Sequence, residues 1–363
     1  MSSPTSLRHV DVAVIGAGQG GLSTAYHLRR FGFAPETGFV VLDADDAPGG
    51  AWQHRAGSLT MAKVHGIFRL PGTSFQPAEQ DAERAVSEVV AAYFADYERR
   101  FALPVHRPVR VRSVSRDGEG LIVTTDDGDW SARAVVNATG TWSRPYWPSY
   151  PGAADFAGGQ LHYADYRGPE AFAGRRVIVV GGGHSAMHVL SEIGDVAAST
   201  TWVTRRPPAF RDEEFTPEIG RNAVALVEER VRAGLPPQSV VSVTGLSYTT
   251  VVREALAKGA LDRLPMFDRL TPGGAEWDDG RRVDADVVLW CTGFRPAIGH
   301  LAPLRLREHG GGIRLDGTRV VREPRLHLVG YGPSASTIGA NRAGRDAARG
   351  IRDLLAGREC AAA

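Results

Sequence analysis

Short apolar runs, glycine turns and amphipathic helices alternate along the chain. His9 to Ile15 carries Val10, Val12, Val14 and Ile15 and predicts a short buried strand ending in a glycine turn. Leu22, Ala25, Tyr26 and Leu28 then recur at helical spacing, and Phe39 to Leu42 predicts a second buried strand that ends on Asp43. This is the opening βαβ unit of a doubly wound sheet. From Ala82 to Phe101 the pattern predicts a helix, with Val86, Val89, Val90, Tyr93, Phe94 and Tyr97 on one face. Val109 to Val114 and Leu121 to Thr125 read as antiparallel strands joined around Asp117-Gly118, and Ala132 to Ala138 as a further buried strand.

A second unit of the same kind begins at Arg176 to Val180: strand, glycine turn, helix, then a strand at Thr201 to Thr204. Glu214 to Val251 is mixed helical with a break at Pro236-Pro237, and Asp286 to Trp290 is another buried strand. Leu326 to Val329 is the last strand, and Ile338 to Leu355 closes the chain as a helix with a solvated face of Arg342, Arg345, Arg349 and Arg352. Between the units, Ser143 to Pro151 is a connector rich in proline and aromatic residues. Gly49 to Phe75 is a long loop punctuated by glycine and proline, and loops of that length tend to be functional. The fold class is α/β: two doubly wound dinucleotide-binding (Rossmann-like) domains, the second inserted into the first. The expected boundaries place residues 1–146 in the first domain, 147–293 in the second, and 294–363 in the returning part of the first.

Composition narrows the setting. A length of 363 residues suits two cores better than one. The net charge of +1 gives no global field that would select nucleic acid or an anionic membrane. Of 42 basic residues, Lys63 and Lys258 are the lysines and the other 40 are arginine, so a cationic contact here is usually planar and bidentate. The two cysteines, Cys291 and Cys360, are far apart, so the sequence holds no Cys-x-x-Cys dithiol or thiolate metal site of that spacing. No apolar run precedes the first strand and none approaches the length of a membrane span, so a cytoplasmic protein is expected.

The chemistry lies in the two glycine turns. Gly16-Ala17-Gly18-Gln19-Gly20-Gly21 follows a strand and opens a helix. Glycine allows the tight turn and the close approach of a pyrophosphate, whose charge meets the helix N-terminal N–H groups. Asp43, at the end of the next strand, is placed to accept hydrogen bonds from ribose hydroxyls. The second turn, Gly181-Gly182-Gly183-His184-Ser185-Ala186, has the same setting, but its next strand ends in Thr204-Arg205-Arg206. Arginine pairs with a 2′-phosphate where an acid repels it, so this turn points to NADPH.

Phe156-x-Gly158-x-x-x-His162-x-x-x-Tyr166-Arg167 lies just before the second turn and resembles the linking fingerprint of the class B flavoprotein monooxygenases, here of the short bacterial, flavin-containing monooxygenase type. Gly49-Gly50-Ala51-Trp52, Ala138-Thr139-Gly140 and Thr292-Gly293-Phe294-Arg295-Pro296 agree with it. The resemblance implies FAD at the first turn, with Gly50, Trp52, Thr139, Gly140, Thr292, Gly293, Gly330 and Tyr331 near the cofactors. It implies NADPH-driven reduction of the flavin and transfer of one oxygen atom from O2 to a small substrate through a C4a-(hydro)peroxyflavin. His184 and Ser185 would contact NADPH. His162 would orient the nicotinamide half or couple the domains. The asparagine that such enzymes carry near the flavin falls at about Ala62-Lys63, which makes Lys63 the replacement candidate, with His65 behind it. Tyr166 in place of a Trp-Pro pair favours N- or S-oxygenation over Baeyer–Villiger oxidation. A flavoprotein reductase that oxygenates nothing is the alternative. A homodimer is compatible with the sequence, and no metal site is expected.

Overall fold

A computed structural model describes residues 7–64, 67–76, 78–211, 217–237 and 245–357, without the side chains of 217–223 and 337–338. The first sheet is built on β1 (Arg8–Ile15), β2 (Phe39–Leu42) and β3 (Val105–His106) on one side. On the other side come β4 (Val111–Asp117), β5 (Gly120–Thr125) and β6 (Trp130–Asn137). β1 pairs in parallel with both β2 and β6, Val14 facing Val41 and Val136 across the two ladders. These strands are apolar almost throughout because helices or loops cover both faces. β4 and β5 form the antiparallel arm on β6 that the alternation predicts.

Helix α1 (Gln19–Arg30) lies on one face of this sheet, beside α2 (Val86–Arg100). α2 buries Val86, Val89, Val90, Phe94 and Tyr97, so the predicted face is the one observed. It starts four residues later than the pattern suggests. The long loop before it intervenes: Met61 N–H donates to the Arg84 carbonyl at 3.0 Å and Ala62 N–H to the Ala82 carbonyl at 2.9 Å. Those bonds hold residues 82–85 in a turn that ends in a bridge from Ala85 to Thr60, out of the helix.

The second sheet is all parallel. It contains β7 (Gly159–His162), β8 (Arg176–Val180), β9 (Ser199–Thr204), β10 (Arg263–Pro265) and β11 (Val287–Trp290), in the order β10-β9-β8-β11-β7. Helices α3 (His184–Ile193) and α5 (Thr250–Ala257) cover one face, while α4 (Pro217–Arg232) runs between β9 and α5 in sequence. Phe267, Trp277 and Trp290 fill the other face. The chain then returns to the first sheet through β12 (Glu323–Leu328), which pairs in parallel with β6, Leu326 facing Val135. α6 (Thr337–Leu355) packs on α1. A Cβ at Gly344 would lie 2.8 Å from Ser23 Oγ, so the two helices cross at near backbone distance there. Arg342, Arg345 and Arg349 of α6 point to solvent, while Ala343, Ala347, Ala348 and Ile351 are buried. Two doubly wound units, with the strands of the second lying between β6 and β12 in sequence, is thus the observed architecture. Among the described residues, no helix is long and apolar enough to cross a membrane.

His327, on β12, is buried under α6 and its Nδ1 lies 2.8 Å from the Thr318 hydroxyl. Burial, with Arg319 nearby, lowers its pKa to about 4. An unfolded chain therefore binds a proton in this region that the folded one refuses, and stability falls as pH drops from about 6.5 toward 4. On the order of 3 kcal/mol is at stake across that window. The fall in Tm between these pH values, followed by calorimetry, should be shallower in His327→Gln; an unchanged slope would show that this histidine is not responsible.

Candidate dinucleotide and active site

Both glycine turns solve the same packing problem. Gly16 has φ +98°, and a Cβ on it would sit 2.8 Å from the Ala138 carbonyl oxygen, just past the end of β6. Gly181 has φ +141°, and its Cβ would sit 2.3 Å from the Cys291 carbonyl oxygen, just past the end of β11. A side chain is excluded at each position by a neighbouring strand, before any ligand is considered. Within the first turn, a Cβ on Gly21 would lie 1.8 Å from the Gly16 oxygen. Gly18 is the N-cap of α1 and Gly183 the N-cap of α3; neither helix start has a side-chain cap or an acidic residue in its first turn. Backbone N–H groups and the positive dipole end are left for an anion. Gly50, φ +52°, packs against Gly18 so closely that its Cβ would be 2.7 Å from the Gly18 Cα. Gly49-Gly50 thus shapes the outside of the first turn.

A cavity of about 450 Å³ runs along this turn. Asp43, Val109 to Val111, Trp52, His300, Gly330 and Ser334 to Ser336 line it. Thr139 and Gly140 form part of its wall. Thr139 Oγ1 donates to the Ala297 carbonyl at 2.7 Å, and Ala297 N–H donates to the Gly140 carbonyl at 2.9 Å, so this wall is tied to the returning chain. Gly330, φ +78°, is held by its N–H bond to Ser334 Oγ at 3.0 Å. The residues fit FAD: glycines where a phosphate must approach, and a carboxylate after the second strand for the ribose hydroxyls.

Asp43 is not a solitary acid. Its carboxylate accepts from Arg107 Nε at 2.8 Å and from the Ala17 N–H, while Arg107 holds Glu98 bidentately at 2.7 and 2.8 Å. Burial pushes the Asp43 carboxyl above its ordinary value and Arg107 works against that. Tyr331 departs from expectation. Its side chain is buried away from the cavity, and its hydroxyl accepts the Ile313 N–H at 3.3 Å, so the turn reaches the cavity through Gly330.

At the second turn, Trp202 Nε1 donates to the Gly181 carbonyl at 2.7 Å and fixes the turn on β9. His184 opens α3 and is exposed, Ser185 is half-buried, and Ala186 packs into the core. Arg205 and Arg206 follow β9 and are exposed; among the described residues no carboxylate pairs with either. Thr204 Oγ1 donates to the Arg206 carbonyl at 2.8 Å, and Arg263 donates to Thr204, which fixes the strand end that presents them.

The fingerprint residues lie at the seam between the units. A Cβ on Gly158 would meet the Phe156 ring at 2.4 Å and the Asp286 oxygen at 2.5 Å, so glycine is forced there by packing. His162 is fully buried, and both its nitrogens are used. Nδ1 accepts the Ala164 N–H at 3.0 Å, so Nε2 carries the proton and donates to the Gly293 carbonyl at 3.0 Å. Desolvation lowers its pKa. Of the two roles expected for His162, the geometry matches the coupling one: the ring is a neutral strut that fixes the Thr292-Gly293 crossing. Tyr146 N–H donates to that same Gly293 carbonyl at 2.9 Å, and Thr292 Oγ1 donates to the Tyr146 carbonyl.

Lys63 lies away from the cavity. Its ammonium pairs with Glu192 of α3 at 3.1 Å. Glu192 is buried and accepts from Ser58 and Tyr166 at 2.7 Å each, with His188 Nε2 at 3.2 Å. Burial alone would raise its pKa; His188, Tyr166 and Ser58 outweigh that and hold it down to about 2. Lys63 and Ser58 belong to the long loop and Glu192 to the second unit, so this cluster fastens one to the other. His65 lies outside the described residues. What the sequence reading missed is Arg55, His54 and His300 in the cavity wall. The loop that carries the first two has no periodicity to mark a side chain as inward.

The fold and cavity define a flavoprotein oxidoreductase with two dinucleotide-binding units. A family model described as pyridine nucleotide-disulphide oxidoreductase matches residues 13–253. A flavin-containing monooxygenase from Stenotrophomonas maltophilia is 41% identical, with a TM-score of 0.81 over 96% of this chain and 100% of that one. The uncharacterized oxidoreductase CzcO of Bacillus subtilis (strain 168) is 30% identical over 299 residues, 78% of this chain and 81% of the relative. An indole-3-pyruvate monooxygenase of Oryza sativa subsp. indica is 28% identical over 94% of this chain and 90% of its own. The chain belongs to the pyridine nucleotide-disulphide oxidoreductase family and, within it, to the flavin-containing (class B) monooxygenases, enzymes that use FAD and NADPH.

The fastening can be tested by mutation. Glu192→Gln should cost roughly 2–4 kcal/mol, because buried donors lose their charged acceptor, and lower Tm by several degrees. Lys63→Met should cost less than about 1 kcal/mol, because that ammonium is partly solvated. Equal losses in the two variants would contradict a hub centred on Glu192.

Proposed function

We propose that the chain oxygenates a small organic substrate at nitrogen or sulfur, in preference to Baeyer–Villiger oxidation of a ketone. The observation that carries this reading is the single cleft that joins the first glycine turn, Trp52, Gly140 and Gly330, in a chain 41% identical to a flavin-containing monooxygenase. Tyr166 favours heteroatom oxidation, since it ends the linking fingerprint where a Trp-Pro pair would point to ketones. In this reading residues 1–146 and 294–363 form the FAD unit and residues 147–293 the NADPH unit.

Gly16, Gly18 and Gly21 with the α1 N-terminus take the FAD pyrophosphate, and Asp43, steadied by Arg107, takes the ribose hydroxyls. Gly50, Trp52, Thr139, Gly140 and Gly330 flank the flavin half. Gly181, Gly183, His184, Ser185 and Ala186 take the NADPH pyrophosphate, Arg205 and Arg206 its 2′-phosphate, and Thr292-Gly293 backs the second turn. When bound, the two cofactors supply hydride transfer and oxygen activation; the chain's own part is positioning and exclusion of water.

Disulfide reduction, which the family name also covers, lacks its equipment here. The sequence has two cysteines, and Cys291 is buried with its thiol pKa pushed up by desolvation.

A panel of tertiary amines, thioethers and ketones tests the reading. NADPH consumption should yield N-oxide or sulfoxide in near-equal amount. If every substrate instead gives hydrogen peroxide in step with NADPH consumed, the protein is an NADPH oxidase or reductase and the proposal fails. Replacing both Arg205 and Arg206 with alanine should raise KM for NADPH about tenfold or more and leave KM for NADH little changed. Equal effects on both would mean these arginines do not read the phosphate.

A further inference from the structure

Arg55 is a cation with no ionic partner in the cavity wall. Its guanidinium lies 4.3 Å from the centroid of the Trp142 ring and 5.7 Å from that of Trp52. Its polar partner is a neutral one, the Tyr163 hydroxyl, and its Nε is buried without an acceptor. Among the described residues no carboxylate pairs with it. Arg107, likewise half-buried, shows the usual arrangement, with Asp43 and Glu98 both within 2.8 Å. Asp45, which lines the same cavity, is taken by Gln53 at 3.0 Å and His54 at 3.2 Å. Burial pulls the Arg55 pKa down, yet an arginine keeps its charge. A half-buried charge without a counter-ion is costly and calls for an anion from outside the chain.

The two dinucleotides do not need this charge for their pyrophosphates. Each glycine turn offers an uncapped helix N-terminus free of acidic residues. Arg55 is left over for a third anion, and its place suits one. Tyr163 belongs to the second unit; its hydroxyl lies 3.2 Å from His188 Nδ1, and His188 Nε2 lies 3.2 Å from Glu192. Three residues beyond Arg55, Ser58 is bonded to the same Glu192. The guanidinium is therefore held from the second unit, at the boundary where the two units meet. Aromatic rings lie beside it, while a guanidinium has five N–H donors arranged to meet a planar oxyanion in pairs.

We propose that Arg55 binds the carboxylate of an acidic, flat-bodied organic substrate, with Trp142 and Trp52 flanking the charge. The assignment rests on the cavity being the monooxygenase site, and it names the substrate class for that site.

The test is binding to the oxidised, FAD-loaded enzyme, read from the flavin difference spectrum without turnover. Phenylacetate and phenylacetamide are matched probes that differ in charge. Wild type should bind the acid about 10–100-fold more tightly than the amide. Arg55→Gln should abolish that ratio, and Arg55→Lys should keep part of it, because the charge remains and the bidentate geometry is lost. The ratio is taken within each protein, so a general loss of affinity cancels. Equal binding of acid and amide by wild type overturns the proposal, as does a ratio that survives in Arg55→Gln. Loss of FAD on purification of the Arg55 variants, with the wild-type preference absent, would reassign the guanidinium to a cofactor phosphate. A wild type that prefers the acid but forms only peroxide would sink the monooxygenase reading and leave the carboxylate site standing.

Discussion

Everything at this site depends on one steric constraint, met twice. The first glycine of each turn faces a carbonyl oxygen just past the end of a neighbouring parallel strand: Gly16 against Ala138 and Gly181 against Cys291. No side chain fits, so the backbone turns sharply and delivers a helix N-terminus to the crest of the sheet. The same contact explains why Ala138-Thr139-Gly140 and Cys291-Thr292-Gly293 look alike. Each is the strand end that supports a glycine turn, and each then leaves through a glycine with positive φ.

The second requirement is that two such units face each other in a fixed way. Two fastenings supply this. His162 and Tyr146 both meet the Gly293 carbonyl. Ser58, Lys63, Tyr166 and His188 converge on Glu192. The fingerprint from Phe156 to Tyr166 is then intelligible in physical terms. Gly158 permits a tight crossing, His162 ties the linker to the second unit's last strand, and Tyr166 ties it to α3.

Much of this was legible in the chain. Apolar runs bounded by glycine gave the strands of both sheets, and the 3.6-residue period gave the buried face of α2. The start of α2 was hidden because distant backbone groups of Met61 and Ala62 claim the preceding residues. The partners of Lys63 and His162 were hidden for a related reason. Sequence shows that a titratable group is present, but not that Glu192 or two backbone groups have already taken it. Tyr331 sits next to a glycine that lines the cavity, yet its side chain goes the other way into the core. Arg55 left no trace because its meaning lies in missing partners, which only the fold reveals.

The central claim is that the two turns form one redox pair within a single chain: FAD at the first, reduced by NADPH at the second. Anaerobic rapid mixing of the purified, flavin-loaded protein with NADPH measures this directly. The account predicts that the long-wavelength flavin absorbance bleaches at a rate that saturates with NADPH concentration. Tightly bound FAD that NADPH leaves oxidised would contradict it.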